Sequence, residues 1–243
     1  MKMLLNIAKK ARNRIRAFRR EKSLERAHRT HRLEHQEEYI EIDKFVQKFR
    51  CSGGMKYAYS SYKLWHLNQL LQCHKPDSIL EFGSGSSTLI FSEFVRKTGG
   101  RLLSIDEEEK WATNTQDLIN LNSGDTSDNI EIRVCEKVFN NGSFPKEIKY
   151  DICLEEEYEF VFIDGPSLQI DGIKHKDAVN SNVFDLPNLP KVIVVDVRKA
   201  TVEYISQLSR LHKDHYLPYV SDLLTGRRVK FDYNYFSYFI RKG

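Results

Sequence analysis

The stretch SILEFGSGSST, residues 78–88, joins a short apolar strand pattern to a glycine-rich turn and the first residues of a helix pattern. Gly83 and Gly85 lack a Cβ, so the backbone there can approach a ligand closely. The helix that follows has unpaired N–H groups in its first turn. Ligands of open α/β sheets bind beyond the carboxyl ends of the strands. The stretch therefore predicts both an α/β fold and a ligand site at this turn.

Apolar strand patterns alternate with helix patterns on both sides of this turn. Predicted strands are Ser78–Phe82, Arg101–Ile105, Ile130–Val134, Glu159–Ile163 and Lys191–Val195, with two more near Tyr216–Val220 and Tyr235–Ile240. Predicted helices are Tyr59–Cys73, Ser87–Lys97, Glu108–Asn122 and Ala200–Leu211. Such alternation predicts an α/β fold with a doubly wound, mostly parallel sheet. Asn140–Glu157 lacks periodicity and is expected to be a long loop.

Acidic residues flank the turn at positions that favour a nucleoside-containing cofactor. Asp106 directly follows the second predicted strand, 21 residues after Gly85, a spacing that suits a carboxylate on ribose hydroxyls. Two cofactor classes compete at this point. A dinucleotide fingerprint requires a third glycine where this chain has Thr88. Glu81 does not belong to that fingerprint, and its carboxylate can accept from a cationic amino group.

Four segments together resemble class I S-adenosylmethionine-dependent methyltransferases in order and spacing. They are ILEFGSGSST (79–88), GGRLLSIDEEEKW (99–111), YEFVFIDGP (158–166) and VIVVD (192–196), and the resemblance spans about residues 76–197. It implies a seven-stranded Rossmann-like sheet in the order 3-2-1-4-5-7-6 with the seventh strand antiparallel. It also implies methyl transfer from S-adenosylmethionine, most simply to a hydroxyl of a small molecule or saccharide.

The same resemblance assigns roles to individual residues. Glu81 would hold the methionine amino group, directly or through water, and Asp106 would hold the ribose hydroxyls. Gly83, Ser84, Gly85 and Ser87 would line the methionine and ribose, Glu107 would flank the adenine, Glu136 would approach its amino group, and Asp164 would face the transferred methyl group. For Glu107 and Glu136, ordinary surface charge is an equal alternative.

Two residues are candidates for the general base that a hydroxyl acceptor requires. Asp164 is the first by position, and His175, between two lysines, is the second because imidazole titrates near neutral pH. Asp164 and Asp196 also resemble two ligands of the metal-dependent O-methyltransferases, with Val197 where those enzymes usually have Asn. Oxygen ligands would suit Mg²⁺. Catalysis with a metal and catalysis without one both stay open.

The N-terminal residues form a basic arm on a mildly acidic body. Residues 1–33 contain 12 Lys or Arg and two Glu, hence +10, against −6 for the other 210 residues. Leu4, Ile7, Ala8, Ala11, Ile15 and Phe18 recur at helical spacing. We expect a helical arm at 1–52 and a methyltransferase domain at 53–243, separated at Gly53-Gly54. The arm would bind an anionic membrane surface or, less readily, RNA, or would pack on the body or a second subunit.

These features leave three alternative functions: an RNA methyltransferase that uses the arm, an inactive cofactor-binding regulator and, third, an NAD enzyme. The four cysteines form no C-x-x-C motif, and Cys135 and Cys153 are expected in the core. This usage indicates a reduced, cytoplasmic protein, attached peripherally to a membrane if the arm binds lipid.

The Tyr59-x-x-x-Lys63 spacing precedes the first strand and is interpreted as helix surface.

Overall fold

The computed structural model describes residues 12, 15, 22–23, 25–54, 58–123, 128–211, 216–217 and 235–241. The chain divides into two compact units, Met1–Glu41 and Ile42–Gly243. Residues 25–34 are helical, and the chain turns at Arg50–Gly54, where Gly53 has a φ of 101°. The apolar stripe of the arm lies outside the described residues except Ile15, so the arm and its boundary at residue 52 stay predictions.

The helices and strands follow the predicted alternation closely. The helices are α1 Gln36–Phe49, α2 Ser61–His74, α3 Ser86–Thr98, α4 Glu109–Ser123 and α5 Lys199–Leu211. The strands are β1 Ser78–Phe82, β2 Arg101–Asp106, β3 Ile130–Val134, β4 Lys137–Asn140, β5 Glu147–Tyr150, β6 Phe160–Ile163, β7 Gln169–Ile170, β8 Ile173–Lys174, β9 Val192–Val195, β10 Tyr216–Leu217 and β11 Ser237–Arg241.

The central sheet has the order β3-β2-β1-β6-β9-β11-β10. Its neighbours from β3 to β9 pair in parallel, whereas β11 runs antiparallel to β9. This arrangement confirms the doubly wound, mostly parallel sheet, with the order that the resemblance implies. The carboxyl ends of β1, β2, β6 and β9 therefore lie along one edge.

Burial on both faces explains the apolar runs of the central strands. Every residue of β1, β6 and β9 is buried, as expected for strands covered by helices on both sides. The apolar residues of α2 are buried as well, namely Tyr62, Trp65, Leu67, Leu70 and Leu71. The helix begins where the Ser60 side chain accepts from the Lys63 N–H at 3.3 Å.

Two expectations about the middle of the chain were wrong. Asn140–Glu157 is not a continuous loop, because β4 and β5 pair antiparallel, with Phe139 opposite Ile148. The β4 residues are at least partly exposed, so their apolar pattern is too weak to reveal a strand in the sequence. Cys135 is only half-buried and Cys153 is exposed, so neither is a fully buried core residue.

Among the described residues, no helix is both long and apolar enough to cross a bilayer.

Candidate functional site

The turn after β1 is closed by a near-contact between two glycine backbones. Gly83 has a φ of 101°, and a Cβ on it would lie 2.7 Å from the Gly165 nitrogen. A Cβ on Gly165 would in turn lie 2.8 Å from the Gly83 Cα. The Gly83 N–H donates to the Ile105 carbonyl at 2.7 Å, which ties the turn to β2. Only glycine fits at Gly83, so this predicted residue sets the shape of the site.

Glu81 lies beneath the turn, where three hydroxyl groups surround its carboxyl group. Ser87 donates to Oε1 at 2.5 Å, and Thr88 and Ser104 donate to Oε2 at 2.6 Å each. The side chain is fully buried, and this burial raises the pKa of Glu81 to about 8, although the three hydroxyls act in the opposite direction. Glu81 therefore stabilises the glycine turn from its buried side, through Ser87 and Thr88.

Asp106 at the end of β2 ties the same turn to the neighbouring strand. Its Oδ2 accepts from the Ser84 N–H at 2.8 Å and from the Ser84 hydroxyl at 2.9 Å. Its Oδ1 accepts from the Glu108 N–H at 2.9 Å. Burial raises the pKa of Asp106, while these donors oppose the rise. A carboxylate oxygen has two lone pairs, so Asp106 can also accept from a ligand hydroxyl.

Asp164 follows β6 and lies opposite the glycine turn. The Tyr59 hydroxyl donates to its Oδ2, and an Arg198 Nη donates to its carbonyl oxygen. Burial, followed by the charge of Asp196, raises the pKa of Asp164 to about 7, and the Arg198 guanidinium opposes this rise. Burial and the Asp164 charge raise the pKa of Tyr59 well above its usual value. Asp164 is thus a carboxyl group with a fixed hydroxyl partner.

Lys63 and Asp196 form a buried ion pair next to this carboxyl group. The Lys63 Nζ donates to Asp196 Oδ1, and the two residues are 7% and 3% exposed. The interpretation of Tyr59 and Lys63 as helix surface was therefore wrong. Their partners lie more than 100 residues further along the chain, and no local pattern indicates such contacts. The Tyr59-x-x-x-Lys63 spacing was the only available signal.

A cleft of ≈ 530 Å³ opens at this edge of the sheet. This volume lies within the usual range for small-molecule sites. Seven of the residues predicted for the site line it, namely Gly83, Ser84, Gly85, Ser87, Asp106, Glu107 and Asp164. Residues that sequence reasoning missed also line it, among them Phe49, Tyr59, Trp111, Tyr150 and Arg198. A second groove of ≈ 420 Å³ lies at the opposite edge, beside the first residues of β2 and β3.

Four predicted residues do not line the cleft. Glu81 is covered by the loop, and Asp196 is held by Lys63. Glu136 is exposed. The His175 ring packs on Phe139 with centroids 4.4 Å apart. The roles proposed for His175 and Glu136 therefore stay predictions.

Glu107 lines the cleft, but its carboxylate already has protein partners. It accepts from the Ser167 N–H at 2.8 Å and from the Lys137 Nζ at 3.0 Å. These contacts join the end of β2 to the loop that follows Asp164. Glu107 thus fixes this loop at the mouth of the cleft.

The two carboxylates proposed as metal ligands do not form a site that fits Mg²⁺. Such a cation needs near-octahedral oxygen coordination, and here Tyr59 donates to Asp164 while an ammonium holds Asp196. Over the described ranges, no cluster of three or more His, Cys, Asp or Glu could hold a metal ion.

No protein-family model and no curated protein sequence matches the chain. The structure resembles an SAH-bound methyltransferase from Podospora anserina with a TM-score of 0.52 at 14% identity, over 83% of this chain and 88% of the other. It also resembles an O-methyltransferase from Bacillus cereus in complex with SAH, with a TM-score of 0.50 at 16% identity, over 82% and 88%. The strand order, the glycine turn after β1 and these two likenesses show that this chain has the class I methyltransferase fold.

Proposed function

We propose that this chain is an S-adenosylmethionine-dependent methyltransferase that methylates a hydroxyl group of a small molecule or saccharide. One observation is central to the proposal: a single cleft joins the glycine turn and Asp106 to Asp164 with its Tyr59 partner. One side of the cleft suits a nucleoside, and the other side offers a proton acceptor. The two structural neighbours, both bound to SAH, support the choice of cofactor.

The residues of the turn fit such a cofactor. Asp106 is fixed by Ser84 and Glu108 with lone pairs left for ribose hydroxyls. Trp111 lines the cleft and offers aromatic surface for a base, and its ring stacks on the buried ring of Phe49 with centroids 6.1 Å apart. Ser87 lines the cleft and is held in place by Glu81. In this arrangement Glu81 acts through Ser87 and does not touch the methionine.

In this proposal, Asp164 takes the proton of the acceptor. When bound, S-adenosylmethionine would supply the methyl group from its sulfonium sulfur. The leaving group would be the neutral thioether of S-adenosylhomocysteine. The acceptor O–H bond breaks as the new O–C bond forms, and the proton passes to an oxygen of the Asp164 carboxylate. Tyr59 fixes that carboxylate through its hydroxyl, and Arg198 fixes the backbone of the same residue. General-base help of this kind is worth about 10²–10⁴-fold in rate.

The acceptor side of the cleft supports oxygen chemistry in two further ways. None of its lining residues is a cysteine, so the described cleft offers no thiol for covalent attack on a base. Lys174, Gln169 and Arg198 border it, and their donors suit the oxygen-rich surface of a saccharide or another polar acceptor.

Transfer of a labelled methyl group from S-adenosylmethionine tests the proposal. The acceptors are panels of saccharides, phenols and RNA, and the readouts are the labelled product and released S-adenosylhomocysteine. We expect label on a hydroxyl of a saccharide or phenol, reduced about 100-fold in Asp164→Asn. Label found only on RNA, or on none of the panels despite cofactor binding, would contradict the assignment of the acceptor.

A further inference from the structure

Lys63 occupies an unusual position for a lysine, at the carboxyl ends of two central strands. Its ammonium group is buried and donates to Asp196, which directly follows β9. The same Nζ lies 4.6 Å from the centroid of the Phe236 ring and 5.0 Å from that of Tyr59. A cation over aromatic faces and beside a carboxylate is well stabilised. The ammonium group of Lys63 is therefore held in place by a buried carboxylate and two aromatic rings.

The pairing of β6 with β9 explains why a cation is needed here. Ile163 pairs with Val195 in parallel register, so the residues that follow, Asp164 and Asp196, are neighbours at one edge. The Asp196 N–H donates to the Ile163 carbonyl at 3.0 Å, which keeps the two strand ends together. Two adjacent carboxylates repel one another unless positive charge lies between or beside them.

Positive charge at such an edge can come from a divalent cation or from a side chain. Here the chain supplies it twice, from Lys63 on Asp196 and from Arg198 beside Asp164. The Tyr59 hydroxyl occupies an oxygen of Asp164 as well. A metal ion would have to displace the ammonium before it could reach Asp196.

We infer that the Lys63 ammonium takes the position of a divalent cation between the ends of β6 and β9, and that methyl transfer at this site is independent of metal. This inference rests on the proposed function. Lys63 is then a positioning residue that holds Asp196 and the ring of Tyr59, whose hydroxyl orients Asp164. The bonds that change are those of the metal-free reaction above, with Asp164 as proton acceptor.

Binding of Mn²⁺, followed by electron paramagnetic resonance, tests the inference without knowledge of the acceptor. Full-length protein is measured with and without S-adenosylhomocysteine at millimolar Mn²⁺. We expect no site-bound ion in the wild type and S-adenosylhomocysteine affinity that EDTA does not change. One Mn²⁺ per chain that Asp196→Asn removes would overturn the inference.

Variants at Lys63 provide the opposite prediction. Lys63→Ala removes the ammonium and leaves two carboxylates and a hydroxyl around the space, so we expect this variant to bind one Mn²⁺. The double variant Lys63→Ala/Asp196→Asn should not bind it. The control is Lys146→Ala, which removes a lysine from the exposed pair with Asp177. A folded Lys63→Ala protein that binds S-adenosylhomocysteine but no Mn²⁺ would contradict the role given to Lys63.

These outcomes are separate from a failure of the proposed function. If wild-type protein binds no S-adenosylhomocysteine, the proposed function is wrong, whatever happens with Mn²⁺. If Lys63→Ala does not fold, as judged by near-ultraviolet circular dichroism, the wild-type Mn²⁺ and EDTA measurements decide the inference by themselves.

Discussion

Replacement of Glu81 by Gln should change how stability depends on pH. The carboxyl group is fully buried, and its pKa is raised from 4.5 to about 8. The folded state therefore holds the proton more tightly than the unfolded state does. The free energy of unfolding must then fall as pH rises from about 4.5, and this loss ends near pH 8. Gln has the same shape and does not titrate, so Glu81→Gln lacks this loss.

The size of the effect follows from the pKa values. Each unit of difference corresponds to about 1.4 kcal/mol, so between pH 5 and pH 7 Glu81 should cost the wild type about 2–3 kcal/mol relative to the variant. Burial alone would set a larger shift, but the hydroxyls of Ser87, Thr88 and Ser104 favour the charged form and reduce it. A cost of this size is a large share of the stability of an ordinary domain.

Urea unfolding at pH 5, 6, 7 and 8, followed by the fluorescence of Trp65 and Trp111, measures the effect. Asp164 is also expected to titrate near pH 7, but it is present in both proteins, and so its contribution cancels in the difference. Glu131→Gln, on the exposed side of β3, is the control for loss of one carboxylate. Parallel curves for wild type and Glu81→Gln would refute the protonated, buried state of Glu81.

Three further predictions concern the glycine turn, the proton acceptor and the arm. Gly83→Ala should lower stability by about 1–3 kcal/mol and weaken S-adenosylhomocysteine binding in calorimetry, because its Cβ would meet the Gly165 backbone. Gly99→Ala is its control, with a φ of 77° and open space around it, and equal losses of affinity in both variants would contradict this account. Asp164→Asn should keep S-adenosylhomocysteine affinity within a few-fold while transfer falls about 100-fold; unchanged transfer would remove Asp164 from the mechanism. Removal of residues 1–33 should leave this affinity intact but abolish sedimentation with anionic liposomes at low salt, since each basic residue contributes up to about 1 kcal/mol. Full-length protein that ignores such liposomes would refute the membrane interpretation, and dissociation of an oligomer on truncation would favour the packing interpretation.

Local sequence patterns predict the strands and helices in which consecutive residues are buried. The all-buried strand at Ser78–Phe82 and the helix after it follow directly from apolar runs and glycine stops, and the strand at 101–106 follows in the same way. The β4–β5 ribbon escapes prediction because its strands have four residues each and are partly exposed. Short, half-exposed strands have patterns that loops share.

The site residues that could be predicted from the sequence belong to local motifs, and those that could not depend on distant contacts. Gly83, Ser84 and Asp106 could be predicted because they belong to local motifs at the carboxyl ends of strands. In an open α/β sheet, ligands bind beyond these ends. The roles of Tyr59 and Lys63 could not be predicted, because they depend on contacts with residues more than 100 positions later in the chain. Glu81 was identified, but its burial beneath Ser87 depends on Ser104 of a different strand.

The proposed function requires that the cleft bind S-adenosylmethionine through the glycine turn and Asp106. Calorimetry of the full chain with S-adenosylhomocysteine and with NAD tests it most directly. We predict micromolar affinity for S-adenosylhomocysteine, far weaker binding of NAD, and a loss of about 1.5–3 kcal/mol in Asp106→Asn but not in Glu131→Gln. Tighter binding of NAD, or equal S-adenosylhomocysteine affinity in wild type and Asp106→Asn, would contradict the account.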